Sequence, residues 1–525
     1  MLPLIPLGLV LAVLDVVCAI HVPIHVTRKP GAASPRKRAR TLEGRASVAV
    51  NDVRDVEYTG NITLGGTAKT VLLDTGSADL WVVGSVPGTK DLGKSATISY
   101  AIGSASGDIN AASFQFDNFT VDDQAYILVQ DASNIGLNDG IQGLMGLGPN
   151  SNSVVASKFK NLTGASPLSR IFSQNKTSSN YISLLLTREN NTGDAFTSGQ
   201  LTISSPVPGY ENITSQPKLS VDKVKLSADQ HFQVLTDSNG IIGPDGNALD
   251  VSSIVPGVHD GKLVAVFDSG FSLPQVPRKV SDAIYGRVQG AKYDTDNEWW
   301  TIPCDQYLNI SFKFGGVTYP IHPLDLNSDS SDLRAGATNC VGPFQPIGSG
   351  AFSIIGDYDM ILGMGFLRNT YSLFDFGDFV STSSNDRSDP FVQLLPITDP
   401  STAKADFVRV RLGGTDTTSS SSKTLLPASQ QSHSPLAPGE RSAQLKERIL
   451  SHWYLILIGA IAIVALALGC GVWCCCCRGR RRGGARAVGF RGVSVLPGAR
   501  GAYKPLHDPA TGAMHMAPMG VSGRV

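Results

Sequence analysis

Short apolar runs separated by turn residues fill most of the chain between residues 47 and 379. VEYTGNITLGG alternates apolar and polar residues before two glycines, and AKTVLLDTG follows as an apolar run. Thr97–Phe116, TISYAIGSASGDINAASFQF, has the pattern of a hairpin with a Gly/Ser tip. With 55 glycines and only 17% charged residues, this pattern predicts a turn-rich, mainly β body.

Two of the apolar runs end in an aspartate. Val71–Val83, VLLDTGSADLWVV, carries Asp74, and Leu263–Leu273, LVAVFDSGFSL, carries Asp268. An aspartate at the end of a buried strand is expensive to ionise unless it has hydrogen-bond donors or a role in chemistry. Two such sites indicate that the carboxylates meet, share one proton and act as a base and an acid.

The N-terminal residues have the composition of targeting and processing segments. Residues 1–19 contain the apolar stretch LIPLGLVLAVLDVV and predict a signal peptide cut near Ala19. Residues 20–46 carry seven Lys or Arg against Glu43 and predict a basic pro-segment, removed at Lys37-Arg38 or a neighbouring arginine. A disordered basic linker is the alternative interpretation.

The C-terminal residues predict a membrane anchor. Residues 396–450 are rich in Ser, Thr and Pro and predict a flexible stalk. Residues 451–477 predict a transmembrane helix, because Trp453–Trp473 is uncharged and long enough to cross a bilayer. Residues 478–525 form a basic tail, which the positive-inside rule places in the cytoplasm. Four cysteines at the membrane edge are candidates for acylation: Cys474, Cys475, Cys476 and Cys477.

Charge and cysteine usage agree with an extracytoplasmic body. The formal net charge of zero combines basic ends with an acidic middle, which argues against nucleic-acid binding. Cys304 and Cys340 are the only cysteines of the body, and in a secreted domain such a pair predicts one disulfide. All candidate glycosylation sites lie between the leader and the span: Asn61, Asn118, Asn161, Asn175, Asn190, Asn212 and Asn309.

Taken together, these features resemble a pepsin-like aspartic protease of the two-lobed eukaryotic type over Val56 to Phe379, and the plan with stalk and span resembles membrane-anchored fungal proteases. The resemblance implies a mainly β, bilobal double β-barrel with an active-site cleft between the lobes, plus one C-terminal transmembrane helix. Residues 47–215 would form the N-terminal lobe and residues 216–395 the C-terminal lobe. LMGLG at 144–148 and MILGMGFLRNTYSLFDF at 360–376 resemble the segments that thread behind each aspartate.

The same resemblance assigns roles to individual residues. Asp74 and Asp268 would flank one water that attacks the scissile carbonyl. Residues that support this pair would be Thr75, Gly76, Ser77, Ser269 and Gly270. The flap and the substrate-binding residues would be Tyr100, Trp81, Ala101, Ile102 and Gly103. The disulfide Cys304–Cys340 would belong to the C-terminal lobe.

Four positions depart from the pattern of the family, one of them Met364, which stands where an Asp usually follows the second apolar-Gly motif. Phe271 stands where a Thr or Ser is usual, so the hydroxyl expected to donate to Asp268 is missing. Losing a hydrogen bond to a carboxylate removes about 1.5–3 kcal/mol of support for its charged form, which predicts a higher working pH. Ser272 or water could substitute. Ala101 and Ile102 make the flap more apolar, which favours hydrophobic substrate side chains.

The sequence therefore predicts an aspartic endopeptidase, tethered to a membrane with its catalytic domain outside the cytoplasm, at the cell surface or in the vacuole and secretory pathway. Its expected partners are polypeptide substrates and the lipid bilayer, and it is expected to be a monomer without cofactor, metal or nucleic acid. A catalytically silent pepsin fold that binds a polypeptide or carbohydrate is the alternative, and a third reading places the function, in adhesion or signalling, in the stalk and tail.

Overall fold

The computed structural model describes residues 20–27, 57–100, 103–130, 137, 140–159, 161–174, 179–186, 188, 199–224, 229–328, 339–347, 357–380 and 388–436. The strands in the first half are β1 (Ile20–Thr27), β2 (Glu57–Leu64), β3 (Thr67–Asp74), β4 (Leu80–Val83), β5 (Lys90–Ser99), β6 (Ser104–Phe116), β7 (Phe119–Val129), β8 (Gly143–Gly146), β9 (Tyr181–Leu185), β10 (Gly199–Ile203) and β11 (Leu219–Ser220).

The strands in the second half are β12 (Gln233–Leu235), β13 (Ile241–Ile242), β14 (Val264–Phe267), β15 (Gln275–Val276), β16 (Lys292–Asp294), β17 (Trp299–Pro303), β18 (Ser311–Phe314), β19 (Val317–Pro320), β20 (Asn339–Gly342), β21 (Gln345–Pro346), β22 (Met360–Leu362), β23 (Thr370–Asp375) and β24 (Phe391–Pro396). The α-helices are short: α1 (Val154–Ser157), α2 (Pro167–Gln174), α3 (Arg278–Tyr285), α4 (Met364–Leu367) and α5 (Pro400–Arg411).

A 13-stranded sheet connects the two lobes. Its order is β11-β24-β23-β9-β10-β1-β2-β3-β8-β4-β7-β6-β5. Strands β23 and β24, from the end of the C-terminal lobe, therefore hydrogen-bond to β9 and β11 from the first half of the chain. Three smaller sheets complete the C-terminal lobe, ordered β12-β14-β22-β15-β21, β13-β18-β19 and β16-β17-β20. The prediction of a mainly β, two-lobed fold is confirmed.

The same strand arrangement occurs once in each lobe. β3 pairs in parallel with β8, and β14 pairs in parallel with β22. All four residues of β14 are buried, because Val264 and Val266 pack in one apolar cluster while Ala265 and Phe267 face another. A strand buried on both faces reads as a continuous apolar run, which is the pattern seen in the sequence.

Aromatic rings fill the core beneath the C-terminal lobe. The Phe366 ring has its centroid 5.6 Å from Phe267, 5.5 Å from Phe312 and 5.9 Å from Phe314. All four side chains are fully buried. Large rings with offset or edge-on contacts contribute more than their area alone, so this cluster holds β14 in place.

Part of the predicted pro-segment belongs to the large sheet. Ile20–Thr27 forms β1, which pairs with β10 at one edge and with β2 at the other. The HVPIHV pattern had not been predicted to form a strand. The remaining residues of the predicted pro-segment, 28–46, lie outside the described residues.

The first part of the predicted stalk is ordered, so the expectation of a flexible segment from residue 396 is wrong up to residue 436. Asp399 caps α5 by accepting from the Thr402 N–H at 2.9 Å, and Phe407 of this helix is fully buried. Farther on, the backbone N–H of Ser432 donates to the Gly286 carbonyl, and Ser434 is buried. Polar side chains of the lobe supply the anchoring contacts, which a composition-based argument does not detect.

No helix within the described ranges is both apolar and long enough to span a bilayer. The predicted signal peptide, transmembrane helix and cytoplasmic tail all lie outside those ranges, as does the rest of the stalk, residues 437–450. Cys474, Cys475, Cys476 and Cys477 share this position, and their acylation stays a prediction.

Candidate active site

The two aspartates occupy equivalent positions in the two lobes. Asp74 is the last residue of β3 and lies opposite Gly146 of β8. Asp268 directly follows β14, and its N–H donates to the Leu362 carbonyl of β22 at 3.2 Å. Both side chains are almost fully buried, with 5% and 7% of their surface exposed. Each threading segment predicted from the sequence therefore lies directly beside its aspartate.

A crossed set of hydrogen bonds joins the two lobes beneath the aspartates. The Thr75 N–H donates to Ser269 Oγ at 3.0 Å, and the Ser269 N–H donates to Thr75 Oγ1 at 2.9 Å. Each hydroxyl also donates across the interface, from Thr75 to the Phe267 carbonyl and from Ser269 to the Leu73 carbonyl. The N–H and hydroxyl groups of Thr75 and Ser269 therefore all have hydrogen-bond partners in a buried site, and these bonds hold the two strands against each other.

Glycines allow the two carboxyl groups to approach. A Cβ at Gly76 would lie 2.1 Å from Asp268 Oδ2, and a Cβ at Gly270 would lie 2.5 Å from Asp74 Oδ1. Each of these glycines also donates its N–H to the aspartate of its own lobe. Gly76 donates to Asp74 at 2.8 Å, and Gly270 donates to Asp268 at 2.7 Å. A side chain at either position would occupy the space of an aspartate, which explains the glycines of both motifs.

The symmetry of the site ends at the next residue. In the N-terminal lobe, Ser77 Oγ donates to Asp74 Oδ2 at 2.5 Å. In the C-terminal lobe the matching residue is Phe271, which has no hydroxyl and packs against an apolar cluster that includes Ile361. Asp74 therefore has a side-chain donor that Phe271 does not supply to Asp268.

This asymmetry has an electrostatic counterpart. Burial and the negative charge of Asp74 raise the pKa of Asp268 well above its ordinary value, and a hydrogen bond between the two carboxyl groups adds to the rise. The backbone N–H groups of Gly270 and Phe271 oppose it. Asp268 is thus the group that carries a proton when Asp74 is ionised.

The predicted flap is a hairpin of β5 and β6, with Ser99 opposite Ser104. The hydroxyl of Tyr100 accepts from Trp81 Nε1 at 2.7 Å and also hydrogen-bonds to Ser77. Burial and the nearby charge of Asp74 raise the pKa of Tyr100 well above its ordinary value, so it stays an uncharged phenol. Gly103 closes the hairpin at φ +73°, whereas Ala101 and Ile102 lie outside the described residues.

Two further buried carboxylates support the site, and sequence reasoning did not identify them. Asp79 accepts from Ser153 Oγ and from the N–H groups of Val154 and Val155, at 2.5–3.0 Å. Asp359 accepts in the same way from Ser253, Ile254 and Val264 at 2.7–2.8 Å. Asp79 stands inside the quoted motif DTGSADLW, which was the available signal.

His231, in the chain before β12, also lies near the pair Asp74 and Asp268, which we call the dyad. Its Nδ1 lies 3.4 Å from Asn152 Nδ2, and the same amide donates to the Gly76 carbonyl at 3.4 Å. These residues are distant in sequence from both aspartates, so no local pattern marked them.

The remaining predicted positions are peripheral to the dyad. Cys304 and Cys340 form the predicted disulfide, with their Cα atoms 4.8 Å apart. In the described part of the chain no cluster of His, Cys, Asp or Glu could hold a metal ion. Asn175 and Asn190 lie outside the described residues, and the other candidate glycosylation sites are exposed: Asn61, Asn118, Asn161, Asn212 and Asn309.

The site and fold together define a two-lobed aspartic hydrolase, and comparison with known proteins identifies the family. The eukaryotic aspartyl protease family matches residues 85–382, more than half of the chain, beginning after Asp74. The chain therefore belongs to the eukaryotic aspartyl protease family and is an aspartic endopeptidase, a hydrolase that acts on polypeptides.

Individual relatives agree. The chain is similar to major aspartyl peptidase 1 of Cryptococcus neoformans var. grubii, with 26% identity over 369 residues, covering 65% of this chain and 71% of the relative. Penicillopepsin-2 of Penicillium janthinellum is 25% identical over 366 residues, covering 66% and 82%. The crystal structure of an aspartic proteinase from Irpex lacteus has the same fold, with a TM-score of 0.51 at 18% identity, covering 71% of this chain and 97% of that one.

Proposed function

We propose that Asp74 and Asp268 hydrolyse the peptide bond through one activated water. Asp74, ionised, takes a proton from the water as its oxygen attacks the scissile carbonyl carbon. Asp268, protonated, donates its proton to the carbonyl oxygen, which gives a neutral tetrahedral diol. Asp74 then gives its proton to the amide nitrogen while Asp268 takes a proton from one hydroxyl of the diol, so the C–N bond breaks, a carboxylic acid and an amine leave, and the pair returns to its starting state.

The observation that carries this proposal is the close approach of two buried carboxyl groups, of which Asp268 has its pKa raised by burial and by the charge of its neighbour. A side-chain atom at Gly76 or Gly270 would collide with the aspartate of the other lobe. Burial and the charge of Asp74 raise the pKa of Asp268. Two carboxyl groups whose surroundings separate their proton affinities are suited to divide the roles of base and acid.

The neighbouring residues complete the proposed machinery. Thr75 and Ser269 hold the two aspartates at fixed separation through their crossed hydrogen bonds. Tyr100, held by the indole N–H of Trp81, would close over the substrate as part of the flap. Ala101, Ile102 and Gly103, which lie between β5 and β6 in the sequence, would contact the substrate backbone and favour hydrophobic side chains.

The test compares the full chain with its Asp74→Asn and Asp268→Asn variants, because α5 and the segment after it pack on the C-terminal lobe. Each is assayed on an unfolded protein from about pH 3 to about pH 7, with and without a statine-type transition-state mimic. Cleavage by the wild type that the mimic blocks, and that each substitution abolishes, is the expected result. Undiminished cleavage by both folded variants would refute the assignment.

The family assignment argues against the catalytically silent alternative, in which the protein would bind a polypeptide or carbohydrate and whose main support in the sequence was Phe271. The hydroxyl it replaces would support the charge of Asp268. Under this alternative the correctly folded and processed wild type would bind the mimic without cleaving any substrate, and Phe271→Thr would restore some cleavage.

We further propose that residues 451–477 anchor the enzyme as a single-pass membrane protein, with the catalytic domain outside the cytoplasm at the cell surface or in the vacuole. The uncharged stretch Trp453–Trp473 and the arginines after it support this topology. The full chain should resist extraction from membranes at alkaline pH, and a chain ending at residue 450 should be released. Glycosylation of the exposed asparagines would give a shift in electrophoretic mobility that an endoglycosidase reverses.

A further inference from the structure

The imidazole of His231 lies at the junction of the two lobes, beside the proposed catalytic pair. Its Nδ1 is 3.4 Å from Asn152 Nδ2, and its ring stands edge-on to Tyr358, with centroids 5.8 Å apart at 87°. The ring also hydrogen-bonds to the carbonyl of Gly76, whose N–H donates to Asp74 at 2.8 Å. Gly76 thus links the His231 ring to the carboxylate of Asp74, the proposed base.

The backbone around His231 is held on both sides. Buried Gln230 donates from Nε2 to the His231 carbonyl at 2.9 Å, and Oε1 of buried Gln233 accepts from its N–H at 3.4 Å. Phe232, between them, is fully buried in the aromatic core. The backbone that carries the imidazole is therefore held in place beside the junction of the lobes.

The charged groups that face the ring are acidic. Asp74 faces it from β3, and Asp229 from its own segment. Tyr358, from the chain before β22, is uncharged because burial and the charges of Asp268, Asp229 and Asp357 raise its pKa. Asn152, from the N-terminal lobe, contributes no charge.

These surroundings place the proton exchange of His231 in the acid range. Burial lowers the pKa of His231 below its ordinary value of 6.5, whereas the charges of Asp74 and Asp229 and the Gly76 carbonyl oppose the decrease. The ring is therefore neutral near pH 7 and becomes a cation facing Asp74 as the solution becomes acidic.

We propose that His231 is a positioning residue that widens the pH range over which the dyad holds a single proton, an inference that rests on the proposed function of Asp74 and Asp268. At acid pH its cation keeps Asp74 ionised, so the pair does not gain a second proton. At higher pH the ring is neutral and does not help to expel the proton of Asp268. A permanently neutral or permanently charged residue would provide only one of these effects.

The test compares pH profiles of kcat/KM for the full chain with His231→Phe and His231→Lys. The neutral variant should move the acid limb upward by roughly one pH unit and leave the alkaline limb in place. The permanently charged variant should leave the acid limb in place and move the alkaline limb downward by a similar amount. His259→Phe, at an exposed position in the loop before β14, is the matched control and should move neither limb.

A second measurement does not depend on substitutions at position 231. By reciprocity, the pKa of His231 itself, followed by NMR of 13C-labelled histidine in the full chain, should fall by roughly one unit in Asp74→Asn. Limbs that stay fixed in both His231 variants, or a histidine pKa that Asp74→Asn leaves unchanged, would overturn the inference. Activity that survives Asp74→Asn would instead refute the catalytic pair itself, so the two failures are distinguishable.

Discussion

Removing the hydroxyl of Ser77 should shift the pH range of the enzyme. Ser77 Oγ donates to Asp74 Oδ2 at 2.5 Å, and the same hydroxyl hydrogen-bonds to Tyr100, whose oxygen accepts from Trp81. Ser77→Ala therefore removes a donor to the proposed base and also separates the flap tyrosine from the dyad. The remaining donor to Asp74 Oδ1 is the Gly76 N–H.

The size of the effect follows from the kind of hydrogen bond. A hydrogen bond to a charged group contributes about 1.5–3 kcal/mol, and one pKa unit corresponds to about 1.4 kcal/mol. Asp74 is only 5% exposed, so water does not readily replace the hydroxyl. The Gly76 N–H still supports the charge, which favours the lower part of the range. We expect the acid limb of the pH profile of kcat/KM to move upward by about one pH unit in the variant.

The assay is the pH profile of kcat/KM for cleavage of a peptide, with Ser77→Thr as the control that retains a hydroxyl. In Ser77→Ala the acid limb should move upward by about one pH unit, because the charged form of Asp74 loses a hydrogen-bond donor. In Ser77→Thr the acid limb should lie near that of the wild type. A uniform decrease in kcat/KM with an unmoved acid limb would show that the hydroxyl does not support the charge, and the reasoning would be refuted.

The remaining predictions concern the other lobe and the stability of the fold. Phe271→Thr should add a donor to Asp268 and move the alkaline limb of kcat/KM downward by about one pH unit; an unmoved limb would contradict the role assigned to the missing hydroxyl. Burial and the charge of Arg188 lower the pKa of His322 to about 4. Because the unfolded chain takes up this proton first, the folded state should lose up to about 3 kcal/mol between about pH 6.5 and pH 4. His322→Asn should remove this loss in denaturant unfolding measured at both pH values, and an unchanged pH dependence would contradict the assignment. Replacing Cys304 and Cys340, 36 residues apart, by serine should lower the free energy of unfolding by about 3–4 kcal/mol, measured by the same method; a loss below about 1 kcal/mol would contradict it.

The sequence was sufficient to predict the centre of the fold because the constraints there are local. A buried apolar strand that ends in Asp, followed by a hydroxyl residue and a glycine, occurs at Asp74 and again at Asp268. Burial dictates the apolar run, the crossed hydrogen bonds require the hydroxyls of Thr75 and Ser269, and the approach of the carboxyl groups requires glycine. Each requirement restricts the residue types beside the aspartates, so all of them are visible as a short sequence pattern.

The C-terminal segment could not be predicted because its stabilisation comes from partners elsewhere. Residues 400–436 have few apolar side chains, and composition alone indicates flexibility. In the structure, Arg287 Nε donates to the Leu426 carbonyl at 2.7 Å, and Ser434 donates to Asp282 from both its N–H and its hydroxyl. The N-terminal strand Ile20–Thr27 is a similar case, because its partners β2 and β10 are far along the chain.

The supporting groups of the site were missed for the same reason. Asp79 was visible within its motif, but its partners Ser153, Val154 and Val155 lie in another part of the lobe. His231 is separated from Asp74 by most of the N-terminal lobe, and a single histidine in a strand-rich region carries no pattern. Only the close approach of the two lobes makes it a neighbour of the dyad.

The two halves of the site are built alike, so the chemical difference between them must come from the few positions that break the symmetry. Both aspartates are buried, and each accepts a hydrogen bond from the N–H two residues farther on. Ser77 supplies a hydroxyl to Asp74, whereas Phe271 supplies only its backbone to Asp268. His231 adds a titratable group whose pKa the charge of Asp74 raises. Both differences favour charge on Asp74 and a proton on Asp268, so the direction of proton transfer follows from the side chains around the dyad.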